Sequence, residues 1–230
     1  MNAVTEEFIL TEGRSLIDLR SIDFGGSALL INGKPVALTM LDMQGSVAEY
    51  LLRTGESDVE AEISGVRHFV EGNFQKDVPL SSQLRDFLKL FSPGAYLLSY
   101  HDDYVDWSGF FGFDDSWKPE VSSDGFYPCG FVFIATQAQD KYDRNRIDYF
   151  KKRILECYNP IALTATLDGE VCYVLDGHHK LKAYEELNVT PTFVCVQLMG
   201  PQDLDDETFD AAFGSHGLAK HYRLYTKRSK

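Results

Sequence analysis

The sequence predicts a mixed α/β protein of the α+β kind. Three observations predict it. Two tight-turn signals, Asn32-Gly33 and Asp168-Gly169, are each flanked by short apolar runs. Several stretches carry apolar residues at helical spacing. In the second half these stretches alternate with apolar runs of strand length. A chain of 230 residues is long enough to bury a sizeable core, and 44% hydrophobic residues with sixteen Phe and twelve Tyr can fill it.

The elements follow in order. Residues 28–31 and 34–38 read as two strands joined at Asn32-Gly33, the pair that supplies the positive φ angles of a type I′ turn. Pro35 cannot donate a ladder hydrogen bond, so an edge position is expected there. Residues 45–53 fit a helix and a strand equally well. Leu84, Phe87, Leu88 and Phe91 recur on one helical face, which predicts a helix over 82–91. Ser81 or Ser82 would cap it, and Ser92-Pro93-Gly94 would stop it. Residues 95–100 then read as a strand.

Residues 101–127 read as a long irregular segment holding Asp102, Asp103, Asp106, Asp114, Asp115, Asp124 and both tryptophans. His101 with Asp102, Asp103 and Asp106 has the donors of a hard-cation site, and a solvated acidic loop accounts for the same residues. This segment sets the expected division: a strand-rich region over 1–128, a second domain over 129–200, and a helix with a basic tail over 201–230.

The second half is more regular. Residues 130–136 read as a strand. Residues 143–157 read as a helix with Ile147, Phe150, Ile154 and Cys157 on one face, Asp140 or Asp143 as its cap, and Asn159-Pro160 as its end. Residues 161–166 and 170–175 form a hairpin through Asp168-Gly169. A helix after Gly177 buries Leu181 and Tyr184. A strand over 192–197 and a short helix over 204–213 close the series.

The formal charge is −13, from 22 basic and 35 acidic residues. Such a surface repels nucleic-acid phosphates and argues against a nuclease. It leaves room for a small anion in a local positive pocket and favours basic protein partners. Five of the basic residues (Lys220, Arg223, Lys227, Arg228 and Lys230) lie in the tail, which reads as a solvated end or as a contact to the acidic body or to a partner. Cys129, Cys157, Cys172 and Cys195 have no C-x-x-C spacing and read as buried free thiols of a reducing compartment. No segment approaches the length of a membrane span, and the first residues lack a basic and then apolar leader pattern, so a cytoplasmic location is expected.

The most specific stretch is Asp176-Gly177-His178-His179-Lys180, where a strand hands over to an amphipathic helix. A helix N-terminus gathers backbone N–H groups, and cations beside it suit a phosphate. Gly177, His178, His179 and Lys180 are the expected phosphate- or nucleotide-binding residues. His178 and His179 read as phosphate ligands, as an acid/base pair, because imidazole is poised for proton transfer near neutral pH, or as ordinary helix-start residues; the resemblance given below adds Asp176 to them as the expected catalytic cluster. Two adjacent helical histidines diverge, so one shared metal ion is not expected.

Residues 131–197 resemble the ParB/sulfiredoxin-like superfamily. The resemblance rests on a helix ending at Asn159-Pro160, a hairpin through Asp168-Gly169, the Asp176-Gly177-His178-His179-Lys180 strand-to-helix junction with Ala183 after it, and Asn188-Val189-Thr190-Pro191 before a last strand. It implies a mixed sheet in the C-terminal half, with the N-terminal half packed on it. It also implies a nucleotide phosphate chain over the helix start, with Gly177 allowing close approach, and Asp176 holding a magnesium-bound water or orienting His179. ATP or another nucleotide with Mg²⁺ is the implied cofactor. The superfamily's reductase carries a cysteine where this chain has His178, so that chemistry is not expected. Two readings stand: a small-molecule phosphotransferase, and a non-catalytic protein-binding module that keeps the scaffold.

Overall fold

The computed structural model describes residues 4–22, 26–41, 49–53, 74–75, 77–102, 105–111, 124–126, 130–137, 141–200 and 202–214. The first strands are β1 (Val4–Leu10), β2 (Ile17–Ile22), β3 (Gly26–Ile31), β4 (Lys34–Leu41) and β5 (Glu49–Arg53). Two helical turns follow, α1 (Leu80–Gln83) and α2 (Arg85–Leu88), then β6 (Gly94–His101), β7 (Trp107–Phe111), β8 (Asp124–Phe126) and β9 (Phe131–Ile134). The rest comprises α3 (Arg144–Leu155), β10 (Ile161–Thr166), β11 (Val171–Asp176), α4 (His178–Leu187), β12 (Thr192–Met199) and α5 (Asp206–Phe213). The fold is mixed α/β.

Seven strands form one mixed sheet in the order β1-β6-β12-β10-β11-β9-β7, and five form an antiparallel sheet in the order β2-β3-β4-β5-β8. The β12–β10, β11–β9 and β9–β7 pairs are parallel. The large sheet curls. Phe131 on β9 and Phe193 on β12 have ring centroids 4.9 Å apart. Three strand spacings of about 4.8 Å would hold their backbones roughly 14 Å apart in a flat sheet. Both sheets contribute to one apolar core. A buried polar bridge also joins them: the Tyr173 hydroxyl on β11 donates to Ser27 O at 2.9 Å and lies 2.9 Å from Ser27 Oγ and 3.3 Å from Thr39 Oγ1.

Local chemistry explains the hairpins and caps. Asn32 (φ 53°) and Gly33 (φ 70°) take the positive angles their turn requires. Asp168 Oδ1 accepts from the N–H groups of Glu170 and Val171, both at 2.8 Å, and so closes the β10–β11 turn. Asp143 caps α3 by accepting from Asn145 N at 2.8 Å. Asp205 caps α5 through Thr208 N at 2.8 Å. Arg144 on α3 clamps Glu186 on α4 through two hydrogen bonds of 2.6 and 2.8 Å, and Lys151 adds a third of 3.0 Å. These bonds, led by the one from Arg144, hold the Glu186 carboxyl down at about 2.

Several expectations are corrected. The helix over 82–91 is two short turns, broken at Leu84 (φ −102°, ψ 10°). The carbonyls of Lys89, Leu90 and Phe91 accept from residues 14–17 instead of continuing a helix. Neither Ser81 nor Ser82 is the cap; Pro79 holds that position, and Ser81 donates to Glu6 from its N–H and its hydroxyl. Taken whole, β4 is not an edge strand, since it lies between β3 and β5, but the described strand partner of Pro35 is β3 alone. The proline is tolerated beside a register shift at Leu29/Leu30, and the described β5 pairing begins only at Ala37. The undecided stretch 45–53 gives β5 over its last five residues; 45–48 lie outside the described residues.

The segment 101–127 is not wholly irregular, since it supplies β7 and β8. Asp103, Asp114, Asp115, Cys129, Asp140 and the basic tail lie outside the described residues. The expected border at 128/129 cuts through one sheet, because β1, β6 and β7 pair into the same sheet as β9 to β12. Cys157 is exposed, whereas Cys172 and Cys195 are buried with Sγ atoms 3.7 Å apart. Among the described residues no helix is long and apolar enough to cross a membrane.

Candidate functional site

The junction between β11 and α4 is where the sequence places it. Gly177 has φ 107° and ψ 19°, a left-handed conformation that glycine tolerates and other residues resist. The missing Cβ also serves packing: one built there would lie 2.9 Å from Ala162 Cα on β10. The close backbone approach at this glycine is therefore made by the chain itself.

His178, His179 and Lys180 come together at the start of α4, and all three are buried, with 5%, 8% and 5% of their surfaces exposed. Their polar ends meet the protein's own groups. His178 Nε2 accepts from the backbone N–H of Thr136 at 3.0 Å. His179 Nε2 accepts from the backbone N–H of Asp143 at 3.0 Å. A backbone N–H can only donate, so each Nε2 is the acceptor and each ring carries its proton on Nδ1. Thr136 is held in turn by its hydroxyl, which donates to Val174 O at 2.6 Å. Phe110 and Tyr142 pack around the pair, with ring centroids 6.3 and 6.1 Å from His178.

Lys180 turns back along the helix rather than outward. Its ammonium donates to Asp176 Oδ2 at 2.6 Å and to Ile161 O at 3.0 Å. The pair spans the β11–α4 corner, and the bond to Ile161 O pins the start of β10 to it. Asp176 is the most accessible of the group, at 24% side-chain exposure. One turn on, the Tyr184 hydroxyl donates to Pro160 O at 3.1 Å, and burial pushes it up to about 12. The corner is thus braced on three sides, by residues 136, 143 and 160–161.

The expected site residues therefore assemble, but not in the expected orientation. Instead of facing solvent, each imidazole Nε2 bonds to a backbone N–H, and the ammonium bonds to the Asp176 carboxylate and the Ile161 carbonyl. The partners of the two histidines are main-chain groups, which no residue type announces. The two rings diverge to different segments, as adjacent helical positions require. Among the described residues no group of three or more His, Cys, Asp or Glu is arranged to hold a metal. Of the acidic loop, His101 stacks on Phe193 at 4.5 Å and its Nε2 lies 3.0 Å from Ser99 Oγ.

No protein family's sequence profile matches the chain, and neither does any curated protein or solved structure.

Proposed function

We propose that the chain is a non-catalytic binding protein on a ParB/sulfiredoxin-like scaffold, with the Asp176–Lys180 corner as its brace. One observation carries this reading: the basic nitrogen of each imidazole is occupied by a backbone N–H. General-base catalysis needs that lone pair for the substrate's proton. A phosphate would have to take its hydrogen bonds from Nδ1–H alone, on residues only 5% and 8% exposed, because protonating Nε2 would set it against the Thr136 or Asp143 N–H. The net charge of −13 favours a basic protein as the partner.

The second reading is a small-molecule phosphotransferase using ATP or another nucleotide with Mg²⁺. Asp176, His178 and His179 would react, and Gly177 and Lys180 would hold phosphate. What favours it is that α4 starts at Gly177 with no side-chain cap and no acid in its first turn. An N-terminus of that kind suits an anion.

Thermal unfolding with ATP, ADP, GTP or CTP, each with Mg²⁺, separates the two. A nucleotide held at a hundred times its Kd would add about 2.7 kcal/mol to stability. The brace reading expects no nucleotide-dependent rise, and expects His179→Ala to lower the melting temperature without any ligand. A saturable rise that disappears in His179→Ala would replace it with the phosphotransferase.

A further inference from the structure

The far end of α4 borders a pocket of 650 Å³ that the corner does not use. The helix leaves through Asn188 (φ 54°, ψ 46°), with Val189 N–H donating back to Tyr184 O at 3.1 Å. Asn188, Val189 and Thr190 form one wall, and Val105, Asp106, Trp107 and Gly130 form the other. The volume falls within the range of small-molecule sites.

Both walls are fixed by the fold. Phe131 N–H donates to Asp106 O at 2.8 Å, which locks the start of β9 to the start of β7. Gly130 passes so near that a Cβ there would fall 2.1 Å from the same oxygen. The Trp107 indole is held against Phe133, with ring centroids 5.9 Å apart. On the helix side, the last turn of α4 winds tightly into Asn188.

Three features of the lining favour positive charge. Asp106 brings a carboxylate to the rim, on an exposed residue. The C-terminus of α4 carries the negative end of the helix dipole, and its last turn holds no basic residue to offset it. The Trp107 indole offers a π face, the strongest of the aromatic partners for a cation. Val105 and Val189, the latter 39% exposed, add apolar surface. None of the described residues lining the pocket is basic.

We propose that this pocket binds a small organic ammonium. Its charged head lies between Asp106 and the end of α4, and its apolar body lies against Trp107, Val105 and Val189. The site is independent of either reading of the α4 N-terminus, since ten helical residues at a rise of about 1.5 Å separate the two by roughly 15 Å.

The test is calorimetric titration of the full chain with benzyltrimethylammonium and benzylamine, with benzyl alcohol and benzoate as neutral and anionic controls at constant ionic strength. Saturable binding of both cations is expected, at least tenfold tighter than that of benzyl alcohol, with no binding of benzoate. Asp106→Asn should weaken the cations about tenfold in a protein that circular dichroism shows to be folded. Thr190→Lys, which sets a tethered ammonium in the pocket wall, should abolish binding while the protein stays folded. The proposal is overturned if the cations do not bind, if benzyl alcohol matches them, or if Asp106→Asn binds as the wild type does.

Discussion

Gly177→Ala distinguishes a glycine kept for the chain's own packing from one kept for a ligand. Two costs arise at once. The residue must hold φ 107°, which for a side-chain-bearing residue costs on the order of 1–3 kcal/mol. Its Cβ would also sit 2.9 Å from both Cα and Cβ of Ala162, a fully buried residue in the middle of the sheet. Relief requires shifting β10 or α4, an overpacking cost of roughly 1–3 kcal/mol. Gly33→Ala is the control. It carries φ 70° with nothing within 4 Å of the new Cβ, so it bears the backbone cost alone. Urea unfolding followed by far-UV circular dichroism should therefore place Gly177→Ala below Gly33→Ala by about 1–3 kcal/mol at an unchanged m-value. Equal losses in the two variants would refute the packing role and return the glycine to a ligand.

Three further outcomes are expected. Tyr173→Phe removes the hydroxyl that ties β11 to Ser27 and Thr39 and should cost about 1–2 kcal/mol in the same unfolding assay; a loss within error of zero would show that the two sheets do not depend on that bridge. Burial holds the His101 imidazole below its ordinary 6.5, with Asp102 pulling the other way, so the unfolded chain takes up the proton first as pH falls. Stability should be full above pH 6.5, decline below it by less than about 1.4 kcal/mol per pH unit for this partly buried ring, and level off beneath the folded value. His101→Phe should flatten that decline, and an unchanged slope would assign it to other groups. Iodoacetamide with mass mapping should label exposed Cys157 in minutes but leave Cys172 and Cys195 unlabelled until the protein unfolds, because burial pushes the Cys172 thiol well up; early labelling of Cys172 would contradict a closed core.

What could be read from the sequence was local. Asn32-Gly33 and Asp168-Gly169 specify their hairpins because their backbone angles and side-chain acceptors act within a few residues. Asp143 caps α3 for the same reason. What could not be read was set by distant partners. The 82–91 periodicity is real, yet residues 14–17 claim the carbonyls that a longer helix would need. β1 and β6 join the second-half strands because sheet membership depends on pairing across the chain, which no window of residues displays. At the corner, residue types pointed to His178, His179 and Lys180, but their orientation was decided by the N–H groups of Thr136 and Asp143 and the carbonyl of Ile161. Asp106 and Trp107 lay in a segment that stood out only by composition.

The seating of β1 against β6, and of β6 against β12, has a consequence for biosynthesis. Val4 meets Tyr100, and Tyr100 meets Val194, so β1 waits for β6, synthesised much later, and β6 in turn waits for β12. Loops of that span close slowly, because their entropy is lost before any contact rewards it. During translation β1 has Phe8 and Leu10, which the folded protein covers, unsheltered, and a ribosome stalled before residue 190 would hold a half-built sheet prone to clumping.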